Sequence, residues 1–425
     1  FSDPETAQLL QIDATFFRKS LVQTNRPIIK SRTKWNTKQI WRSLLVLTKS
    51  IAFYIFDSIV ILENSVSKKK TKQSIILIRQ DAIGDFIIWL DTAKEYRKLY
   101  PKDEYEIILV GNELWFGLAK ELPYWDEVIP VNFKKFKTIS KYRRNILKKV
   151  KDLKADITIQ PTFSREFYHG DSLARASGAS RKISSSGDMS NRNWLKKWLA
   201  NRWHTELIPA KIEPLTELER NAEFFSKLIK NNYSPEYTKL ETHNFCKIQG
   251  FKHDDFYVLS IGAEKKYREW GIDSYTTIAQ LIYKHTGWVG IISGVEKDFN
   301  LGEKIQSLSG VPLENLAGKT SISELASLLG KSHLVISNET GTAHISSAVG
   351  TPTVCILGGG HFDRFAPYPD LPGKNTFLKP IFNKMPCYNC NWECIFYIKK
   401  DEAAQCIQNV SVDAVWNEVE KIIEA

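Results

Sequence analysis

The feature that most constrains the fold is a series of short, continuous apolar runs that starts near residue 74. Turn-forming or polar sequence bounds each run, and longer amphipathic segments lie between them. This alternation is typical of parallel strands that helices bury on both faces. The sequence therefore predicts an α/β fold with strands at residues 74–79, 106–110, 156–160, 257–262, 289–293, 333–337 and 353–357.

The predicted strands fall into two sets, separated by a polar stretch from about residue 230 to 254. Two Rossmann-like domains with a cleft between them are the simplest architecture for such sets. We place the first domain at residues 71–240 and the second at residues 241–425. A chain of 425 residues is long enough for both domains and an appendage.

The first 70 residues form that appendage. Residues 1–42 are polar and basic and are predicted to be an arm, whereas residues 44–62 are almost entirely apolar. Their length approaches that of a membrane span, but Lys49 and Asp57 disfavour one. As an amphipathic helix, the segment carries one narrow polar stripe, which consists of Ser43, Ser50, Asp57 and Asn64.

Two arrangements of this helix are open. In the first, it lies flat on anionic lipid with the stripe in water, and Leu44, Ile51, Phe56 and Leu62 enter the lipid boundary. The basic arm suits such a surface, as do the lysines after the helix, namely Lys68, Lys69, Lys70 and Lys72. In the second, the helix packs on the body of the protein.

The chain is basic, with 59 Lys and Arg against 48 Asp and Glu and a net charge of +11. This excess favours an anionic partner, although charge alone does not choose among phosphates, nucleic acids and membranes. A cluster in the first domain would attract a phosphorylated glycolipid, or is simply a solvated helix face. It comprises Lys134, Lys135, Lys137, Lys141, Arg143, Arg144, Lys148, Lys149, Lys151 and Lys154.

The first candidate site is the turn after residues 74–79, which holds Asp81, Gly84 and Asp85. Ligands of open parallel sheets bind beyond the carboxyl ends of the strands, so these carboxylates are expected to face the cleft. The alternative role for Asp85 is to cap the following helix. The turn lacks a Gly-x-Gly-x-x-Gly pattern, which argues against a dinucleotide cofactor.

The second and third candidate sites follow two predicted strands of the second domain. After residues 333–337, Thr340 and Gly341 open a helix whose free N–H groups suit a pyrophosphate, with Glu339 and His344 beside them. After residues 257–262, Arg268 lies on a loop with two lysines and suits bidentate phosphate contacts. A structural histidine and solvated surface cations are the alternatives.

Six cysteines are too few for a disulfide-built scaffold, and the N-terminus lacks a signal-peptide pattern. A reducing cytoplasm is therefore expected. Four of the cysteines crowd together near the C-terminus and would make a structural zinc site, a disulfide or free thiols: Cys387, Cys390, Cys394 and Cys406. We expect this cluster to lie remote from the chemistry.

The order and spacing of four segments resemble glycosyltransferase family 9, the bacterial ADP-heptose:lipopolysaccharide heptosyltransferases. They are IRQDAIGDFIIWL, IGAEKKYREW, NLAGKTSISELASLLGKSHLVISNETGTAHISSAVGTPTVCILG and RFAPYP. The similarity covers roughly residues 74–425. It implies the GT-B fold, in which two Rossmann-like domains face a central cleft, and an inverting transfer from a nucleotide sugar that requires no metal cofactor.

The resemblance also implies roles for individual residues. Asp85 is the expected general base. The expected donor-binding residues are Arg268, Glu296, Glu339, Thr340, Gly341 and His344, where Glu339 replaces the aspartate that the family commonly has. The acceptor-side candidates are Arg79, Asp81, Gly84 and Arg165.

The expected function is transfer of a heptose-like sugar from an ADP-heptose-like donor to a lipopolysaccharide core or other lipid-linked glycan. The expected partners are that donor, an anionic glycolipid acceptor and an anionic membrane surface, without nucleic acid. The expected location is the cytoplasmic face of the bacterial inner membrane, with peripheral attachment. The alternative is a non-catalytic nucleotide-sugar or glycan-binding protein that keeps the fold.

Overall fold

The computed structural model describes residues 37–64 and 72–425. Most of the predicted basic arm and Lys68, Lys69 and Lys70 lie outside the described residues. The chain divides into two compact units, residues 1–52 and 53–425. The described part of the first unit is the beginning of helix α1 (Thr37–Leu62), and the second unit contains the end of α1 and both sheets.

The first sheet follows α1 and is parallel, with strand order β3-β2-β1-β4-β5-β6. Its strands are β1 (Gln73–Arg79), β2 (Tyr105–Asn112), β3 (Glu127–Val131), β4 (Ile157–Gln160), β5 (Arg181–Ser185) and β6 (Glu206–Ile208). The accompanying helices are α2 (Ile83–Leu99), α3 (Phe116–Ala119), α4 (Phe133–Phe136), α5 (Lys141–Asp152), α6 (Gly170–Ala176), α7 (Trp194–Asn201) and α8 (Glu217–Ile229), with a 3-10 turn at Glu113–Trp115.

The second sheet is also parallel, with strand order β12-β11-β10-β7-β8-β9. Its strands are β7 (Phe256–Ser260), β8 (Val289–Ser293), β9 (Leu313–Asn315), β10 (Val335–Asn338), β11 (Thr353–Ile356) and β12 (Leu378–Ile381). Its helices are α9 (Ile272–Thr286), α10 (Phe299–Ser309), α11 (Ile322–Leu329), α12 (Gly341–Ala348), α13 (Gln405–Gln408) and α14 (Val412–Glu424). Shorter 3-10 turns lie at Thr242–Asn244, Lys266–Arg268 and Glu296–Asp298.

All seven predicted strands are confirmed as the central part of the two sheets. Five further strands were missed, and four of them (β3, β6, β9 and β12) are edge strands. An edge strand need not be apolar on both faces, and it tolerates proline, as β3 and β12 do at Pro130 and Pro380. The apolar-run criterion therefore detects the middle of such a sheet and misses its borders.

Alternate residues of β1 explain why helices cover both faces of the first sheet. Ile75 and Leu77 belong to one core, which also contains residues of α2, whereas Ile76 and Ile78 belong to another with residues of α5 and α6. The first of these cores continues into the second sheet, through Val258 among others. Because apolar packing runs across the two sheets, the predicted domain boundary at residue 240 stays a prediction.

The middle of the polar stripe of helix α1 faces the body of the protein, whereas in the first of the two arrangements above the stripe would face water. Ser50 and Asp57 of its polar stripe are buried, and Phe56 packs against the core beneath the first sheet. Ile51 and Leu62 are exposed. The expectation that the stripe faces water is wrong, because Asp57 has a buried cationic partner.

That partner is Arg143 of α5. Its Nη2 and Nε donate to the two carboxylate oxygens of Asp57 at 2.6 and 2.7 Å, and both side chains are buried. Arg143 also donates to the carbonyl oxygens of Phe136 and Tyr168 and to the Ser172 hydroxyl. This buried network fixes the C-terminal half of α1 to the body of the protein.

We expect Asp57→Ala to lower the free energy of unfolding by about 3–5 kcal/mol, because it leaves the Arg143 guanidinium buried without its counter-charge. Glu63→Ala is the matched control, since Glu63 forms a more exposed pair with Arg144 of the same helix α5. It should cost less than about 1 kcal/mol. Denaturant unfolding of both variants measures the difference. Equal costs would contradict the anchoring role of Asp57.

Candidate active site

Asp85 lies in the first turn of α2, which begins at Ile83. The N-cap position is Ala82, whose side chain makes no capping hydrogen bond. Asp85 is therefore not the N-cap residue, and this alternative role is wrong. Its carboxylate is half-buried at the carboxyl end of β1, where the helix dipole also favours negative charge.

Arg79, the last residue of β1, organises the turn below Asp85. Its Nε lies 2.7 Å from Asp81 Oδ2, and its Nη2 donates to Glu217 Oε1 at 3.0 Å. It also donates to Asn221 Oδ1 at 3.1 Å and to the backbone oxygen of Asp85 at 3.4 Å. Because the Arg79 side chain is fully buried, it positions the carboxylates and does not face an acceptor directly.

The surroundings of Asp85 make it a stronger base. Burial raises the pKa of Asp85 well above its usual value, and the negative charges of Asp81 and Glu217 raise it further. Arg79 and Arg364 offset part of this rise. A carboxylate with a raised pKa is suited to accept a proton near neutral pH.

Two glycines let α2 and α12 approach closely at their N-terminal ends. A β-carbon at Gly84 would lie 2.8 Å from His344 Cδ2, and one at Gly341 would lie 2.6 Å from Ile83 Cγ2. Both contacts leave room for hydrogen alone. Asp85 consequently lies one residue from the contact between the two helix starts. The start of α12 is the turn at Thr340 and Gly341 that the sequence predicted to bind a phosphate, here called the phosphate turn.

The phosphate turn has Thr340 as the N-cap of α12, in extended conformation and without a side-chain capping bond. His344, in the first turns of α12, is buried, and its Nδ1 lies 2.7 Å from the Tyr368 hydroxyl. Burial lowers the pKa of His344 to about 4, so the imidazole is neutral at physiological pH. The neutral ring lies against Gly84 and so forms part of the contact between the helices.

Arg268 lies at the predicted position beside this turn. Its Nη2 donates to the backbone oxygen and to the carboxylate of Glu339, both at 2.8 Å. Burial raises the pKa of Glu339, and Arg268 offsets part of that rise. The pair holds the Arg268 guanidinium at Glu339, two residues before α12 begins, and the N-terminal end of a helix beside a guanidinium suits a diphosphate.

Glu296 is exposed and begins the 3-10 turn after β8. It lies against Gly318, where a β-carbon would be 2.5 Å from Glu296 Oε2. This places an exposed carboxylate at the carboxyl end of a second strand of the same sheet. Carboxylate oxygens accept hydrogen bonds from the hydroxyls of a ligand.

Arg165 is placed differently from its expected acceptor-side role. Its side chain is fully buried, with Nε 2.9 Å from Asp171 Oδ1 and with donations to the Ser185 carbonyl and to Asn201. Arg192 lies on the other oxygen of Asp171 at 3.2 Å. An arginine enclosed in this way cannot contact an acceptor in the cleft.

The cysteine cluster is not remote from the candidate site, contrary to our expectation. Trp392 lies between two of its cysteines, and the Arg268 guanidinium lies 4.9 Å from the Trp392 ring centroid. The same indole fills the space above Gly360, where a β-carbon would be 2.2 Å from Trp392 Cε2. The loop that carries the cysteines therefore packs against the Arg268 side chain through Trp392.

In the part of the chain that the structure describes, all the cysteines are free thiols. Burial raises the pKa of Cys390 and of Cys406. Among these residues, no three His, Cys, Asp or Glu side chains stand close enough to hold a metal ion. As placed here, the four thiols do not fit a structural zinc site.

Comparison with known proteins assigns the chain to a family. The model of glycosyltransferase family 9 (heptosyltransferase) matches residues 172–393, more than half of the chain. The chain belongs to glycosyltransferase family 9. The predicted resemblance is thereby confirmed.

Individual relatives of this family 9 chain match only part of its sequence. It is 31% identical over 117 residues to the lipopolysaccharide core heptosyltransferase OpsX of Haemophilus influenzae, a match that covers 27% of this chain and 33% of the relative. The chain thus spans about a third or less of the length of the first curated relatives it matches.

Solved structures resemble this family 9 chain over most of its length. The E. coli ADP-heptose lps heptosyltransferase II aligns with a TM-score of 0.59 at 15% identity, over 83% of this chain and 99% of that one. E. coli heptosyltransferase WaaC with ADP-2-deoxy-2-fluoro heptose aligns with a TM-score of 0.58 at 14% identity, over 82% and 99%. These similarities confirm the GT-B fold.

Three residues near the site were missed in the sequence. Glu217 and Arg364 act on Asp85 electrostatically, and Trp392 covers Arg268. Glu217 is separated from Arg79 by 138 positions, so local patterns gave no signal for it. Arg364 is the first residue of the RFAPYP segment, which was one of the four segments that carried the family resemblance. Of the three residues, Arg364 alone could therefore have been selected from the sequence.

We expect Glu217→Gln to move the acidic limb of the kcat/KM profile to lower pH by roughly 0.5–1 unit. Glu217 raises the pKa of Asp85, so removal of its negative charge lowers that pKa and keeps the Asp85 carboxylate ionised in more acidic solution. Glu223→Gln on the same helix is the control, because Glu223 pairs with Arg220 and Lys227. An unchanged limb, or one at higher pH, would contradict the coupling.

We expect Trp392→Ala to raise KM for the sugar donor about three- to tenfold, with a smaller effect on kcat, because Arg268 loses its cation–π contact. Trp392→Phe keeps an aromatic face and should restore most of the affinity. Trp288→Ala, which removes a ring stacked on His333, is the control. Equal losses in all three variants would indicate general destabilisation and contradict a positioning role for Trp392.

Proposed function

We propose that this chain is an inverting, metal-independent glycosyltransferase that moves a heptose-like sugar from a nucleoside diphosphate to a lipid-linked glycan. The observation that carries the proposal is the contact between the starts of α2 and α12. This contact lies one residue from Asp85, whose pKa is raised, and involves Gly341 of the phosphate turn, two residues after Glu339, which Arg268 binds.

The proposed reaction is one displacement at the anomeric carbon. The acceptor hydroxyl oxygen forms the new bond while the bond to the donor phosphate oxygen breaks, and the nucleoside diphosphate leaves with the electron pair. Asp85 takes the hydroxyl proton on the face opposite the leaving group. Arg268 and the N–H groups at Gly341 stabilise the negative charge that grows on the diphosphate. The proposed step therefore uses three groups of this chain: Asp85, Arg268 and the N–H groups at Gly341.

The donor that fits best is similar to ADP-heptose. One solved relative is described with ADP-2-deoxy-2-fluoro heptose, and the curated relatives are named as lipopolysaccharide heptosyltransferases. In the proposed complex, Glu339 reaches a sugar hydroxyl without releasing Arg268, and Glu296 binds the ribose. A glutamate is longer than the aspartate that the family commonly has at this position. The proposed donor site therefore differs from that of the family in where the sugar lies against the carboxylate.

The proposed acceptor is a lipopolysaccharide core or another anionic glycolipid at the cytoplasmic face of the bacterial inner membrane. The net charge of +11 supports an anionic acceptor and a peripheral membrane location. Several residues of the basic cluster are committed to contacts within the protein, among them Arg143, Arg144, Lys149 and Lys151. The exposed lysines of the cluster, which include Lys134 and Lys135, supply the proposed attraction, and nucleic acid is not a proposed partner.

The alternative is a protein that binds nucleotide sugars or glycans without turnover. A transfer assay with a panel of nucleoside diphosphate sugars and a water-soluble acceptor fragment distinguishes the two. We expect release of nucleoside diphosphate together with glycosylated acceptor for at least one heptose donor. Tight binding of a donor without either product would support the binding protein and contradict the enzyme.

A further inference from the structure

The exposed side of α1 presents an apolar face to the surroundings. In the C-terminal half of the helix, Tyr54, Ile55, Ile59 and Leu62 are exposed, Leu62 by 82%. The opposite side holds Asp57 and is buried. By length and composition, Leu45–Leu62 is apolar enough to cross a membrane, yet only 22% of it is buried. Several large apolar side chains exposed together on one helix face are unusual on a soluble protein and indicate an interaction site.

Aromatic and cationic contacts bring α7 beside this half of α1. Trp203, two residues after α7, stacks on Tyr54 with ring centroids 6.3 Å apart. The Arg175 guanidinium lies over both rings, at 4.1 and 5.0 Å. Arg175 also donates to the Ser58 hydroxyl at 2.5 Å. These contacts hold the end of α7 next to α1.

Helix α7 adds two exposed tryptophans. Trp194 and Trp198 are 69% and 49% exposed and lie four positions apart, hence on one side of the helix. The Arg202 guanidinium lies 3.4 Å from the Trp198 ring centroid. Tryptophan rings flanked by cations are typical of protein surfaces at the boundary between lipid tails and headgroups.

Charge selects the occupant of this surface. Helix α5, which contacts the end of α1 through Arg144 and Glu63, contains six basic residues and one acidic residue. A second copy of a chain with a net charge of +11 would bring like charges together. An anionic bilayer instead combines an apolar interior with negative headgroups.

We propose that Ile55, Ile59, Leu62, Trp194 and Trp198 form one docking surface for an anionic lipid bilayer, here called the α1/α7 surface. It rests on the proposed function in one respect, since it assigns the membrane contact of that enzyme to particular residues. The helix lies on the bilayer and does not cross it. Crossing would take Asp57 away from Arg143 and leave a buried guanidinium unpaired.

Vesicle sedimentation tests the proposal with the full chain. The vesicles contain phosphatidylcholine alone, or phosphatidylcholine and phosphatidylglycerol at about three to one. Two double variants remove parts of the α1/α7 surface: Ile55→Glu with Ile59→Glu, and Trp194→Ala with Trp198→Ala. Leu308→Glu is the matched control. Leu308 is a leucine that is 60% exposed and lies on α10, one of the helices that accompany the second sheet.

We expect each double variant to bind the anionic vesicles at least about tenfold more weakly than the wild type, and the control to bind normally. Wild-type binding should weaken between about 0.1 and 0.5 M salt and be poor on phosphatidylcholine alone. Unchanged binding by both double variants would overturn the proposal. So would a wild-type dimer that the variants convert to monomers without loss of vesicle binding.

Transfer to a water-soluble acceptor separates this proposal from the proposed function. The double variants should keep wild-type transfer, because the α1/α7 surface holds no residue of the cleft. Vesicle binding without transfer in the wild type would overturn the enzyme and leave the surface standing. If the glutamate pair prevents folding, the tryptophan pair and Leu62→Glu supply the same test.

Discussion

Asp85→Asn is expected to lower kcat by about 10²–10⁴ while donor affinity stays close to that of the wild type. Asparagine keeps the size of the side chain but cannot accept the acceptor proton. The donor contacts assigned to Arg268 and the phosphate turn are unaffected. Steady-state kinetics and calorimetric binding of nucleoside diphosphate measure the two effects separately. Near-normal turnover would end the assignment of Asp85 as the base.

The same variant should be more stable than the wild type at neutral pH. The folded-state pKa of Asp85 is raised, so the folded protein holds this proton more tightly than the unfolded chain, and ionisation of the group costs stability as pH rises. Removing the carboxylate abolishes that cost. The gain in melting temperature should be present at about pH 7.5 and vanish near pH 4. Asp103→Asn, at an exposed aspartate, is the matched control for the substitution itself.

Arg268→Ala is expected to lower kcat/KM by about 10²–10³ and to weaken binding of nucleoside diphosphate. The variant removes the guanidinium that we propose stabilises the leaving diphosphate, and it also leaves the Glu339 carboxylate without the cation it pairs with. Melting curves of the variant separate loss of activity from loss of fold. Arg268→Lys should recover part of the rate, since it keeps the charge but not the planar donor geometry.

Lys265→Ala is the control for Arg268→Ala, because Lys265 lies on the same loop with its side chain exposed. On sequence grounds, Arg268 is preferred to Lys265 and Lys266 for its bidentate geometry, with solvated surface charge as the alternative for all three. The structure separates them, since Lys266 pairs with Glu269 and Arg268 alone reaches Glu339. Unchanged affinity of Arg268→Ala for nucleoside diphosphate would remove Arg268 from the donor site.

Strand cores and the turns that follow them could be predicted because both are local in sequence. The position of Asp85 after β1 follows from the rule that parallel sheets bind ligands beyond their carboxyl ends. Its electrostatic environment could not be predicted in this way. Glu217 comes from a distant helix, and its charge reaches Asp85 only in the folded chain.

Helix α1 shows a second limit of sequence patterns. Amphipathic spacing identified the stripe that contains Ser50 and Asp57, but a stripe can face water or a buried partner. Arg143, which decides between them, lies 86 positions from Asp57. Arg165 illustrates the same point, because an arginine suited to an anionic ligand is enclosed with Asp171.

The measurement that tests the central claim most directly is the anomeric configuration of the transferred sugar. A heptose nucleoside diphosphate of known configuration is incubated with the wild-type chain, a water-soluble acceptor and excess chelator, and the product is examined by NMR. A single displacement with Asp85 as base predicts transfer in the presence of chelator, with inverted configuration at the anomeric carbon. Retained configuration, or transfer that stops with chelator and returns with added metal, would contradict it.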